Sequence, residues 1–184
     1  MENYVRKYKP FLVFLAKFFL TYVLLTAAYQ WYLSGFNEKH NEVDTITQSV
    51  ASQSEMLLQL FGDARMDKHP SQPCMRLFYH GKFVARIIEG CNALSVMMLF
   101  AAFVVAFSGK LKQTVLFILG GSVLIHILNI ARIALLAVLI YQFPEHENFL
   151  HGVVFPLVIY GVVFALWVVW VNKFSRYAKR NPEA

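Results

Sequence analysis

The stretch TVLFILGGSVLIHILNIARIALLAVLIYQF, Thr114–Phe143, carries a single Lys, Arg, Asp or Glu, Arg132. A helix rises 1.5 Å per residue, so about 30 residues extend roughly 45 Å. A hydrocarbon core is about 30 Å thick, so this run crosses a bilayer with its end projecting or tilted. Working outward, Asn92–Phe107 precedes it across the basic loop Ser108-Gly109-Lys110-Leu111-Lys112. Val153–Val171 follows it across the acidic turn Pro144–Asn148, and Phe11–Leu33, interrupted by Lys17 and Gln30, lies near the N-terminus. The chain is 58% hydrophobic and 15% charged, against about half and a quarter in a soluble domain. The expected fold is an all-α integral membrane protein, one domain over 1–184 forming a four-span helical bundle. Its spans are placed at about 11–33, 92–108, 113–142 and 152–171. A cleaved signal peptide competes for the first span. Such a signal has an apolar core of only about 7–15 residues and a small-x-small site after it, so the span is read as retained.

The net charge of +6 does not mark a nucleic-acid binder. The basic residues flank apolar segments, and no basic helix or aromatic-rich recognition motif is present. Arg6, Lys7 and Lys9 precede the first span, Lys110 and Lys112 lie in the 108–112 loop, and Lys173, Arg176, Lys179 and Arg180 follow the last; residues 144–150 hold no Lys or Arg. The positive-inside rule then predicts a multi-pass protein of the cytoplasmic membrane with both termini cytoplasmic and residues 34–90 and 144–150 outside.

Residues 34–90 are expected to form a small extracytoplasmic cap of a helix plus a β-hairpin. Val43, Ile46, Val50, Leu57, Leu60 and Phe61 recur at roughly helical spacing, which predicts an amphipathic helix over 43–61. Asp63 to Pro73 holds turn-forming residues and reads as loop. Cys74–Tyr79 and Lys82–Ile88 flank His80-Gly81 and read as a hairpin that delivers the chain to Cys91.

Three unusual residues converge on one level. Cys91 opens the second span from outside. Arg132 lies about 20 residues, roughly 30 Å, up the third helix from the basic loop. His151 opens the fourth span from outside. Each has a bland reading: Cys91 as a small hydrophobe, Arg132 snorkelling to headgroups, His151 as an interfacial residue. Together they suffice for acyl transfer. A thiolate is the nucleophile, an imidazole takes and returns the proton, and a guanidinium stabilises the thiolate or the oxyanion.

Other residues are weighed beside them. Asn129 shares the helix face of Arg132 and orients it or satisfies backbone; His126, on the same face, reads as structural. Glu89 and Asn92 flank Cys91 and position substrate or hold the turn. A metal site would draw on His126, His146, His151, Glu145 and Glu147, but no His-Glu-x-x-His or other paired ligand motif is present. Cys74 falls opposite about Ile88 in the hairpin, so its register argues against a Cys74–Cys91 disulfide.

The ordered set Glu-Gly-Cys91-Asn-Ala, Asn129-Ile-Ala-Arg132-Ile and Leu-His151-Gly resembles the exosortase/archaeosortase family over residues ~75–170. The small size, single span before the hairpin and Cys-Asn-Ala wording resemble the type F exosortases of Bacteroidetes; many other members read Cys-Ser-Gly and carry more N-terminal spans. The resemblance implies a membrane cysteine peptidase or transpeptidase with a Cys91, Arg132, His151 triad and no metal or cofactor. Its partners would be membrane-anchored precursors whose C-terminal sorting signal joins a short motif, a transmembrane helix and a basic cluster. Cleavage at the outer face would pass the protein to water or to a lipid or glycan acceptor. The rivals are a non-catalytic membrane scaffold and a membrane metallohydrolase.

Overall fold

The computed structural model describes residues 2–36 and 42–175, with side chains from residue 8 onward. The elements are α1 (Glu2–Leu33), α2 (Thr45–Gln59), β1 (Ala64–Lys68), β2 (Met75–Tyr79), β3 (Lys82–Ile87), α3 (Leu94–Ala106) and α4 (Leu111–Gln142). A last helical stretch, α5 (Pro144–Phe174), opens with a 3-10 turn and contains π-helical turns at Leu150–Val154 and Trp170–Phe174.

Three helical segments are long and apolar enough to cross a membrane: Tyr8–Leu33, Leu111–Gln142 and Pro144–Phe174. The segment expected as the span 92–108 contains the shorter α3, of 13 residues, about 20 Å of helix. Asn92 and Ala93 precede that helix, Ala93 in the left-handed region at φ 61°. The acidic stretch 144–148 is already helical, so the last helix begins before the expected residue 152.

α4 organises the packing because its length exceeds the bundle. Residues Gly121, Ile125, Asn129, Ile133 and Ala137 form a buried stripe at four-residue steps. The N-terminal half joins Phe100 and Val104 of α3 and Val163 and Trp170 of α5 in one core. Gly121 is required there, since a Cβ would lie 2.3 Å from Phe100 Cζ; small residues let helices approach this closely. The C-terminal half, Ile133 to Ile140, is buried instead with Val50 and Leu58 of α2 and Leu77, Val84 and Ile87 of the sheet. The surplus length of the apolar run is thus covered by the α2 and sheet layer. α1 packs on α3 through Phe14 and Phe107, ring centroids 4.7 Å apart, and Lys17 Nζ donates to Ser108 Oγ at 2.7 Å.

α2 starts where Asp44 accepts a hydrogen bond from Thr47 N at 2.9 Å, an N-cap that satisfies one of the open N–H groups. Its buried stripe is Thr47, Val50, Ala51, Ser54 and Leu58. The expected Leu60 and Phe61 are exposed, because the helix ends at Gln59. Small Ser54 fits the stripe by donating to Val50 O at 2.8 Å.

The expected loop 63–73 is corrected: Ala64–Lys68 is a strand, so the hairpin is part of a three-stranded antiparallel sheet in the order β1-β2-β3. Nothing in Ala-Arg-Met-Asp-Lys is β-branched or aromatic, which hides it from propensity. The pairing of Arg65 to Phe78 and Asp67 to Arg76 holds it in place. The hairpin itself turns at His80-Gly81, both at positive φ (48° and 72°), as a two-residue I′ turn requires.

Candidate active site

β3 ends at Ile87, Ile88 stays extended, and Glu89–Cys91 forms a single 3-10 turn before α3. Cys91 N–H donates to Ile88 O at 2.8 Å, closing that turn. Two asparagines hold it. Asn129 of α4, 1% exposed, donates from Nδ2 to the Cys91 carbonyl at 2.7 Å. Asn92, 3% exposed, donates to Tyr29 OH of α1 at 2.8 Å and to Thr47 Oγ1 of α2 at 3.3 Å, and its Oδ1 accepts from Leu94 N at 3.0 Å. A buried amide has two donors and an acceptor to satisfy, and these bonds use them. Cys91 is therefore a half-buried side chain on a turn tied to α1, α2, α3 and α4 at once.

The turn opens onto a cavity of about 440 Å³. Cys91 lines it together with Arg132 from α4 and His151 from the π-helical turn of α5. β3 contributes Ala85, Arg86 and Ile87, followed by Ile88; α4 adds apolar Ile133, Leu136 and Ile140, and α5 adds Glu147. The three residues placed at one level by helical rise thus share one wall-to-wall space. Neither Cys91 Sγ nor the His151 ring makes a hydrogen bond among the described residues, and His151 is exposed.

Among the described residues Arg132 is one of three charged residues lining the cavity, with Arg86 and Glu147. Its Nε is buried and has no hydrogen-bond partner among the described residues, and no ion pair joins it to Glu147 across the same space. A buried donor left open costs about 1–3 kcal/mol, more for a charged group. Such an open donor in the cavity that Cys91 lines is suited to donate to an oxyanion or a carbonyl oxygen.

The supporting residues divide. Asn129 binds the Cys91 backbone, one turn before Arg132, and Asn92 holds the turn from inside. Glu89 is exposed and does not line the Cys91 cavity; it lies in a neighbouring depression with Gln72 and Cys74, which shares Arg86 and Ile88 with that cavity. Arg86 and Glu147 also line the cavity; Arg86 lies five residues before Cys91 and Glu147 four residues before His151, and only the fold brings them to one space. His126 meets Gln53 Oε1 of α2 at 2.7 Å. Cys74 is buried, Cys91 half-buried, and both are free thiols. Met75 pairs with Ile87, which continues to Cys74 opposite Ile88. Among the described residues no group of three His, Cys, Asp or Glu side chains gathers in metal-binding geometry.

Among curated proteins and among solved structures nothing matches the chain. The family described as transmembrane exosortase (Exosortase_EpsH) matches residues 11–171, a range that includes α2, α3, α4 and the sheet, most of α1 and α5, and every residue lining the cavity. With a membrane-length set of apolar helices, a thiol, a guanidinium and an imidazole on one cavity, and that match over most of its length, the chain belongs to the transmembrane exosortase family.

Proposed function

We propose that this protein is a cysteine peptidase or transpeptidase that cleaves C-terminal sorting signals of exported precursors. The supporting observation is that Cys91, Arg132 and His151, from three separate elements, line one cavity. The Cys91 thiolate attacks the scissile carbonyl, forming a C–S bond while Arg132 stabilises the oxyanion. The C–N bond then breaks, His151 returns its proton to the leaving amine, and a thioester remains. Water, or an amine or hydroxyl on a lipid or glycan, attacks that thioester and releases the thiol.

On this reading α1, α3, α4 and α5 are the four spans, α3 crossing a bilayer thinned locally. Both termini are cytoplasmic, the cavity opens at the outer face of the cytoplasmic membrane, and the protein is of the type F kind. The deciding experiment uses cells carrying Cys91→Ala at parent expression. Accumulated full-length precursors are the expected result; normal processing of every precursor returns the protein to a scaffold role. Reporters after Phe61 and Pro144 should read outside and those after Lys110 and Lys179 inside.

A further inference from the structure

The sheet ends in an open edge. Among the described residues the order β1-β2-β3 leaves β3 paired on one side, and the stretch Ala85, Arg86, Ile87, Ile88 forms a wall of the Cys91 cavity. Successive side chains of a strand point to opposite faces, so a cavity against one face meets every second residue. Four residues in succession mean that the cavity sees this strand from its edge.

The ladder determines which backbone groups that edge offers. His69 N–H donates to Cys74 O at 2.9 Å, and His80 N–H donates to Asp63 O at 2.7 Å. Positions 74 and 80, which flank the middle strand, therefore turn toward β1. Antiparallel hydrogen bonding alternates along a strand, so Arg76 and Phe78 also turn toward β1, while Met75, Leu77 and Tyr79 turn toward β3. Their partners Ile87, Ala85 and Lys82 face inward, with the register shift between Leu77 and Phe78 absorbing one residue. Arg86, between Ala85 and Ile87, turns its N–H and C=O outward to the cavity. Ile88, still extended at φ −112° and ψ 172°, turns its N–H the same way; its carbonyl is taken by Cys91 N–H.

We propose that β3 is a docking strand: the substrate polypeptide binds beside it as a fourth strand, hydrogen-bonded to the N–H and C=O of Arg86 and the N–H of Ile88. This rests on Cys91 being the nucleophile. An added strand lies about 4.8 Å from its neighbour. Pairing along β3 stops where the chain bends into the Glu89–Cys91 turn, so a substrate continuing past Ile88 meets the thiol. Main-chain bonds hold the extended peptide whatever its sequence, and the apolar α4 wall of Ile133, Leu136 and Ile140 reads its side chains. An unpaired edge is a hazard that proteins cover or blunt; here the cavity gives it an occupant.

The test compares Arg86→Pro with Arg86→Ala, using a reporter protein ending in a sorting signal from the same genome. Both variants lose the side chain, and proline alone loses the outward N–H, which an edge strand tolerates. Loss of one hydrogen bond predicts processing about tenfold slower in Arg86→Pro than in Arg86→Ala, with Cys91 still alkylated by a membrane-impermeant maleimide. Equal processing by the two variants, both folded, overturns the docking strand. If Arg86→Pro does not fold, a second arm decides. Arg86→Cys in a Cys91→Ala background is challenged with single cysteines at successive positions before the reporter's cleavage site. Disulfides at alternate positions are expected. Disulfides at none, at all, or a substrate-independent dimer through Arg86→Cys itself, overturn the proposal. Normal reporter processing by Cys91→Ala alone defeats the nucleophile reading instead, which keeps the two failures apart.

Discussion

Replacing Asn129 by alanine tests whether the turn that carries Cys91 is held from α4. The amide donates to the Cys91 carbonyl at 2.7 Å and is 1% exposed, so no solvent takes its place. The carbonyl left without a donor costs about 1–3 kcal/mol, and the void left by the amide adds to this, for a total of about 2–4 kcal/mol. A protein stable by about 5–15 kcal/mol remains folded. The turn keeps Asn92 but loses its tether beside Arg132, and displacement of a reacting atom by about 1 Å costs on the order of 10² in rate. Three measurements follow: unfolding of the purified protein in detergent, alkylation of Cys91 relative to Cys74, and precursor processing. Asn129→Leu keeps about the same size and removes both donors, so it should resemble Asn129→Ala rather than the parent. A stability loss under about 0.5 kcal/mol with parent-rate processing refutes the reasoning, since it means that the bond neither stabilises the turn nor positions the thiol.

Arg132→Lys keeps the charge and loses the planar fork; processing should fall on the order of 10²–10³-fold in turnover at equal expression, and near-parent turnover leaves Arg132 with a charge role alone. His151→Ala should slow alkylation of Cys91 at neutral pH and recover much of it near pH 9, because an unassisted thiol ionises around 8.5; an unchanged pH profile excludes His151 as the base. Cys91→Ala/His151→Ala should process no worse than Cys91→Ala, as residues acting as one unit are non-additive; a further drop in precursor processing assigns His151 separate work. Gly121→Ala should destabilise the α3–α4 contact by about 1–3 kcal/mol through overpacking, since its Cβ would lie 2.3 Å from Phe100 Cζ; unchanged unfolding means that Phe100 turns aside freely.

Periodicity and apolar length made the long elements legible. α4 shows itself by about 30 apolar residues around one arginine, and α2 by the roughly helical spacing of its apolar residues. The hairpin is marked by His80-Gly81 between β-prone runs. β1 was not legible, because Ala64–Lys68 has no residue type that favours a strand and is held by pairing with β2. The polar members of the α2 stripe, Thr47 and Ser54, were hidden for a related reason: their burial depends on hydrogen bonds that hydropathy does not score, Ser54 to Val50 O one turn back and Thr47 Oγ1 from Asn92.

The sequence by itself determined a membrane protein and put Cys91, Arg132 and His151 at one height, since helical rise converts residue number into depth. Height leaves rotation and lateral position open. Only the tertiary structure decided that the three line the same cavity, because the facing of each helix depends on which stripe it buries against its neighbours. For α4 that stripe steps through Gly121, Ile125 and Asn129 into the α2 and sheet layer, which turns Arg132, three residues beyond Asn129, to the cavity. The Asn129 bond to the Cys91 carbonyl and the open edge of β3 likewise arise from a contact 38 residues apart and from strand order, and no local pattern encodes them.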